Sequence, residues 1–134
     1  MKTRSILDKE LNEIREMLLG MAEMVTEAIR GSIEALKTQD IEAAQAIVDN
    51  DEVINKRRIK IEKHCVTTIA TQQPLASDLR TIIAGMHIAV EIERMGDHAA
   101  GIAKLAIEMS NEPLLKPLID IPRMADIACS MLVD

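Results

Sequence analysis

The sequence contains no phenylalanine, tyrosine or tryptophan. Without aromatic side chains, a protein can neither stack nucleotide bases nor line a ligand slot with rings, so both kinds of site are excluded. A helical core is still possible, because leucine, isoleucine, valine, alanine and the nine methionines can fill it.

The sequence also has fewer basic residues than acidic ones. The chain has 16 lysines and arginines against 22 aspartates and glutamates, which gives a net charge of -6. Nucleic acids and anionic membranes are bound through basic patches. We therefore expect neither a nucleic acid nor an anionic membrane as the main partner. The lack of long apolar runs makes any position at a membrane peripheral rather than integral.

Long apolar runs and a cysteine framework are missing as well. No stretch approaches the roughly 18 apolar residues of a membrane span, and the first residues turn charged before a signal-peptide core could form. Cys65 and Cys129 lack metal-site spacing and are interpreted as apolar fillers in a reducing compartment. These features predict a globular domain in the cytoplasm.

What the sequence does contain is helical periodicity. Amphipathic patterns over residues 5–36, 41–71 and 75–107 predict three long helices with short connections, and therefore an all-α, antiparallel three-helix bundle. We expect Asp40 or Thr38 to cap the second helix and Pro74 to occupy the first turn of the third. The first helix has an apolar stripe with heptad-like spacing: Leu7, Leu11, Ile14, Leu18, Met21, Val25, Ala28, Ser32 and Ala35.

Prolines mark a change of character after residue 107. Pro113, Pro117 and Pro122 interrupt the helical pattern, and a new amphipathic segment begins at Pro122. Its spacing resembles that near the start of the chain. We predict a three-helix repeat over residues 1–112, followed over residues 113–134 by a proline-rich connection and the first part of a second repeat.

Two carboxylates interrupt the apolar pattern of the third helix. Residues i and i+4 share a helix face about 6 Å apart, so Glu93 and Asp97 should point at the same spot. Two like charges buried there would cost several kcal/mol unless something neutralised them. The inward stripe predicted for this helix comprises Leu75, Leu79, Ile82, Met86, Val90, Glu93, Asp97 and Ala100.

The second helix also carries polar residues on its predicted inward stripe. If the second and third helices pair antiparallel about Gln72 and Gln73, Asp51 faces about position 94 and Asn55 about position 90. Both then lie within about a turn of Glu93 and Asp97. The predicted stripe comprises Ala44, Ile47, Asp51, Ile54, Arg58, Ile61 and Cys65, with Asn55 and Glu62 at its edge.

Two interpretations of this oxygen cluster remain open. Carboxylate and amide oxygens suit a hard or borderline cation such as magnesium, calcium, manganese or iron. Alternatively, Arg58 or Arg94 neutralises the carboxylates in a salt-bridge network. The three histidines, at positions 64, 87 and 98, fall off the stripes and are expected to be solvent-facing or partly buried polar residues rather than ligands.

Three segments carry a resemblance to a known family: Gln73–Arg80, Glu91–His98 and Asp51–Asn55. In these segments, and more loosely over residues 5–134, the sequence resembles the PhoU family of bacterial phosphate-transport regulators. The resemblance implies a non-enzymatic protein built from three-helix repeats, acting between a phosphate ABC transporter ATPase and a membrane sensor histidine kinase. The resemblance further implies that such a protein damps the signalling of the kinase when phosphate is plentiful.

The resemblance also implies a multinuclear metal site, with iron as the main expectation and zinc, manganese or nickel as others. Its ligands would be Glu93, Asp97, Asp51 and Asn55. Because the chain covers one repeat and the start of another, we expect a homo-oligomer that covers an apolar flank. The competing functions are a metal-dependent helical-bundle enzyme or metal store, and a purely structural helical adaptor with salt-bridged carboxylates.

Overall fold

The computed structural model describes residues 2–109 and 120–133, with side chains at 4–109 and 121–132. The described residues form four helices and no strand: α1 (Lys2–Thr38), α2 (Ile41–Gln72), α3 (Ala76–Glu108) and α4 (Asp120–Val133). The predicted all-α fold is confirmed, and the ends of the first three helices lie within a turn of the predicted ones. Most of the predicted proline-rich connection, up to residue 119, lies outside the described residues.

The first three helices pack against one another, and α4 lies on α1. Their connections are so short that consecutive helices must run antiparallel, which gives the predicted three-helix bundle. No helix in the described part of the chain combines the length and the hydropathy that crossing a membrane requires.

Asp40 fixes the turn between α1 and α2. Its carboxylate accepts a hydrogen bond from the backbone N–H of Ala43 at 3.1 Å, which confirms Asp40 as the N-cap of α2. The N–H of Asp40 donates to the carbonyl oxygen of Ala35 at 3.0 Å, so the same residue closes α1. Gln39 reverses the chain between the two helices by adopting a left-handed backbone with φ of 57°.

Gln73 ends α2 in a similar way. It adopts a left-handed backbone with φ of 44°, and its N–H donates to the carbonyl oxygen of Ile69 at 3.1 Å. Leu75 is extended, and α3 begins at Ala76. The prediction that Pro74 occupies the first turn of α3 is therefore wrong: the extended backbone at Leu75 keeps this buried proline in the connection.

The predicted apolar stripe of α1 is confirmed. Seven of its nine residues are buried, and Leu11 and Leu18 are partly buried. Met21 and Val25 have no exposed surface at all, so the stripe forms the centre of the bundle. The buried seven are Leu7, Ile14, Met21, Val25, Ala28, Ser32 and Ala35.

The predicted inward stripe of α3 is wrong in part. Leu75 is 80% exposed and Val90 is 39% exposed. Small residues occupy most of the buried face instead, so α3 is rotated relative to the prediction and Glu93 and Asp97 lie beside the core rather than in it. The buried residues of α3 are Ile82, Gly85, Ala89, Ile92, Gly96, Ala99, Ala100, Ala103 and Ala106.

Close packing explains why α3 buries small residues. A Cβ atom on Gly96 would stand 3.4 Å from Ile54 Cγ2 of α2 and 3.4 Å from Val25 Cγ2 of α1. A Cβ atom on Gly85 would stand 3.5 Å from atoms of Ile14 and Leu18. The two neighbouring helices therefore approach α3 too closely for a row of leucines.

Gly101, in contrast, has open space around it, since no described heavy atom outside its own stretch of helix lies within 4 Å of where its Cβ would be. Glycine costs about 1 kcal/mol relative to alanine inside a helix. We expect Gly101→Ala to raise the free energy of unfolding by about 0.5–1 kcal/mol, measured by urea denaturation. An unchanged or lower urea midpoint would contradict the packing described here.

Candidate functional site

The polar residues predicted from the sequence meet along one side of the α2–α3 contact. We call Asp51, Asn55, Glu93 and Asp97 the acidic seam. Asp51 meets Asp97, whereas the predicted register placed position 94 opposite it, so the helices are offset by nearly one turn. Within the seam, Asp51, Asn55 and Glu93 are partly buried, and Asp97 is exposed.

Arg58 of α2 neutralises Glu93. The guanidinium Nε contacts a Glu93 carboxylate oxygen, and the two side chains are 24% and 18% exposed. Arg58 Nη1 donates to Glu62 Oε1 at 2.8 Å, and Nη2 donates to Asn55 Oδ1 at 3.3 Å. The sequence left open whether an arginine or a metal ion neutralises Glu93, and in the structure it is Arg58. Asn55 accepts a hydrogen bond from the same guanidinium.

Asp51 and Asp97 form the other part of the seam, and the structure places two like charges there. Burial raises the pKa of Asp51 above its usual 3.8, and the charge of the neighbouring Asp97 carboxylate raises it further. Lys104 acts in the opposite direction. Among the described residues, Asp51 Oδ1 has no hydrogen-bond partner, although it is fully buried. This pair is therefore the place in the seam where a cation would be most stabilised.

The structure brings the four predicted residues together in two groups rather than in one compact set. Asp51 lies with Asp97, whereas Glu93 and Asn55 meet through Arg58. Within residues 4–109 and 121–132, Asp51, Glu93 and Asp97 do not offer three ligand atoms within 4.8 Å of one another. Lys104, which acts on Asp51 from the exposed side of α3, was not predicted as part of this site.

The like-charge pair leads to a prediction about stability. We expect metal-free Asp51→Asn to melt about 2–4 °C higher than the wild type at pH 7, because the substitution removes a solvent-screened repulsion worth less than about 1 kcal/mol. The measurement is thermal unfolding followed by circular dichroism, in the presence of a chelator.

The pH dependence of this difference follows from the direction of the pKa shift. Because the pKa of Asp51 is raised in the folded state, the repulsion is present above that folded pKa and disappears as the pH falls through it. The gap in melting temperature should therefore close in acid. A gap that widens in acid would contradict the assignment.

Comparison with known proteins identifies the family. The sequence profile of the PhoU domain matches residues 18–106, which is well over half of the chain and includes the whole acidic seam. The chain belongs to the PhoU family. The resemblance seen in the sequence is thereby confirmed.

Individual members of the PhoU family are similar over nearly the whole chain. The phosphate-specific transport system accessory protein PhoU homolog of Aquifex aeolicus is 41% identical over 128 residues, which are 96% of this chain and 58% of the relative. The crystal structure of the phosphate transport system regulatory protein PhoU from Streptococcus pneumoniae matches with a TM-score of 0.86 and 35% identity, over 96% of this chain and 60% of that one. The crystal structure of PhoU from Pseudomonas aeruginosa matches with a TM-score of 0.87 and 30% identity, over 94% of this chain and 61% of that one.

The match covers only part of each PhoU relative. The chain spans about three fifths of the length of these relatives, as the covered shares of 58%, 60% and 61% indicate. The solved structures confirm the helical-bundle fold. The predicted boundary between a repeat at 1–112 and a second one from 113 stays a prediction.

Proposed function

We propose that this protein is a non-enzymatic regulator of bacterial phosphate uptake and phosphate-starvation signalling. It acts in the cytoplasm, at the membrane surface, between a phosphate ABC transporter ATPase and a sensor histidine kinase. The observation that carries the proposal is the 41% identity with an accessory protein of the phosphate-specific transport system, maintained over 96% of the chain. The sequence shows no Ser/His/Asp set, Cys/His pair or phosphate-cradling glycine loop, which agrees with a role in binding rather than in turnover.

Gene deletion tests the regulatory role. In phosphate-rich medium, cells lacking the gene should express phosphate-starvation genes, and a plasmid copy of the wild-type gene should restore their repression. A reporter that stays silent after the deletion would count against the proposal, because a negative regulator must raise expression when it is lost.

The acidic seam is the part of the protein that we assign to metal binding. The Asp51–Asp97 pair provides oxygen ligands, with iron as the first candidate and manganese, nickel or zinc as others. Support comes from the raised pKa of Asp51 and from its buried oxygen without a hydrogen bond among the described residues. Glu93 and Asn55 would add their oxygens only by releasing Arg58.

A second candidate function is a structural helical adaptor that binds its partners without metal. The ion pair between Arg58 and Glu93 favours this alternative, because it already neutralises one seam carboxylate. The two candidates differ in the metal content of the acidic seam. An adaptor without metal would carry none at the seam, and Asp97→Asn would leave that content at zero.

Self-association is the third part of the proposal. α4 exposes large apolar side chains: Ile121, Met124, Ile127 and Met131 are 40%, 66%, 57% and 71% exposed. Clustered apolar surface of this kind is typical of an interface. We therefore propose a homo-oligomer, and light scattering over a range of protein concentrations measures it directly.

A further inference from the structure

Two carboxylates and an imidazole meet at the α1–α2 contact, away from the acidic seam. Glu10 and Glu13 lie on adjacent turns of α1, where positions i and i+3 share a face. His64 reaches them from α2. Within the described residues, these three offer the one set of three histidine, cysteine or carboxylate ligand atoms that all lie within 4.8 Å of one another.

The ring nitrogen of His64 is aimed into this group. Its Nε2 stands 2.8 Å from Glu10 Oε2 and 3.5 Å from Glu13 Oε2. Nε2 is fully buried, and none of the described atoms is aligned to form a hydrogen bond with it. The imidazole nitrogen and the two carboxylate groups therefore converge on one point, where three side chains can share a cation.

The distances fit the coordination of a small divalent cation. With metal–ligand bonds of about 2.1 Å, neighbouring ligand atoms lie roughly 3.0 Å apart around an octahedral ion and roughly 3.4 Å apart around a tetrahedral one. The two measured separations, 2.8 and 3.5 Å, lie close to these values. Both contacts are thus compatible with a single ion placed between the three side chains.

Burial and charge favour the same conclusion. The side chains of Glu10 and His64 are each 26% exposed, whereas that of Glu13 is 46% exposed, so the group is half-desolvated and keeps a side open to water. An exposed ion would then have three protein ligands and water in the remaining positions. The same groove is lined by four basic residues, Lys9, Arg57, Lys60 and Lys63, and by the acidic Asp8 and Glu16. The charge around the two glutamates is therefore nearly balanced, which favours one cation over a cluster.

We infer that Glu10, Glu13 and His64 form a second metal site, which binds one divalent first-row transition ion such as Zn²⁺ and joins α1 to α2. One imidazole nitrogen with two carboxylate oxygens is a donor set for Zn²⁺, Ni²⁺, Fe²⁺ or Co²⁺ rather than for Ca²⁺ or Mg²⁺, which bind through oxygens alone. This site does not depend on the proposed regulatory function or on the acidic seam.

The experiment is a Zn²⁺ titration of the chelator-treated protein by calorimetry. It is performed on a background carrying Asp51→Asn and Asp97→Asn, so that the seam does not contribute. One equivalent of Zn²⁺ should bind, and His64→Gln should weaken the affinity at least tenfold. His87→Gln is the matched control, because His87 is exposed on α3 and should leave the affinity unchanged.

Nuclear magnetic resonance separates a metal ligand from a histidine that only pairs with glutamate. The chain has three histidines, so their ring signals can be followed individually. Zn²⁺ should shift the ring signals of His64 and leave those of His87 and His98 in place. Equal behaviour of all three rings, no binding at millimolar Zn²⁺, or full affinity in folded His64→Gln would each overturn the inference.

Discussion

Replacing Gly96 with leucine is expected to lower the free energy of unfolding by about 3 kcal/mol. A Cβ at this position already stands 3.4 Å from side chains of both Ile54 and Val25, so the further carbons of leucine have no room. α3 must move away from both neighbours to accept them. Urea denaturation followed by circular dichroism measures the change.

Gly101→Leu is the matched control for that substitution. Both glycines lie in α3, but no described atom outside its own stretch of helix stands within 4 Å of a Cβ at Gly101. We expect the control to change the free energy of unfolding by less than about 1 kcal/mol, with better helix propensity as a small gain. Equal losses in the two variants would mean that the buried face of α3 is not the one described here.

The second large effect is expected from Glu93→Ala, which should lower the free energy of unfolding by about 2 kcal/mol. The substitution leaves the guanidinium of Arg58 partly buried with Glu62 and Asn55 but without its partner on α3. The loss is smaller than the 3–5 kcal/mol typical of fully buried pairs, because both side chains keep some contact with water. Thermal and urea unfolding of the metal-free protein measure it.

Glu91→Ala serves as the control for Glu93→Ala. Glu91 pairs with Arg94 at 3.4 Å, but both side chains are 63% exposed. Exposed pairs of this kind are worth less than about 1 kcal/mol. If the two variants lose the same stability, Arg58 does not depend on Glu93 and the seam is not held by their ion pair.

Much of the fold could be predicted from the sequence because the signals involved are local. The stripe of α1 repeats large apolar residues at helical spacing, and seven of the nine predicted positions are buried. Asp40 combines a capping side chain with a position just before the apolar pattern of α2. Such features depend on neighbouring residues along the chain and need no knowledge of the other helices.

The orientation of α3 could not be predicted in the same way. The apolar pattern predicted that large residues such as Leu75 and Val90 point inward, but both are exposed. The face that is buried instead carries small residues: Gly85, Ala89 and Gly96. How closely two helices approach is a property of the assembled bundle. The sequence feature that could have predicted the buried face is the row of glycines and alanines along one side of α3.

The proximity of the four seam residues could be predicted from the sequence, but their pairing could not. Counting from the turn placed Asp51 and Asn55 within about a turn of Glu93 and Asp97, and the structure does bring them to one seam. The count could not anticipate the offset that pairs Asp51 with Asp97. His64 was expected only as a partly buried polar residue, since its glutamate neighbours come from α1 and depend on how the two helices dock.

Elemental analysis of the purified protein tests the central proposal, a cation at the Asp51–Asp97 pair, most directly. Protein that carries His64→Gln, which removes the second proposed site, should contain stoichiometric metal when it is prepared without chelator, with iron as the first expectation. The double variant Asp51→Asn/Asp97→Asn should lose that metal while remaining folded, and Glu91→Gln should retain it. On this background, equal metal content in the parent protein and its two variants, or none in the parent, would contradict the account.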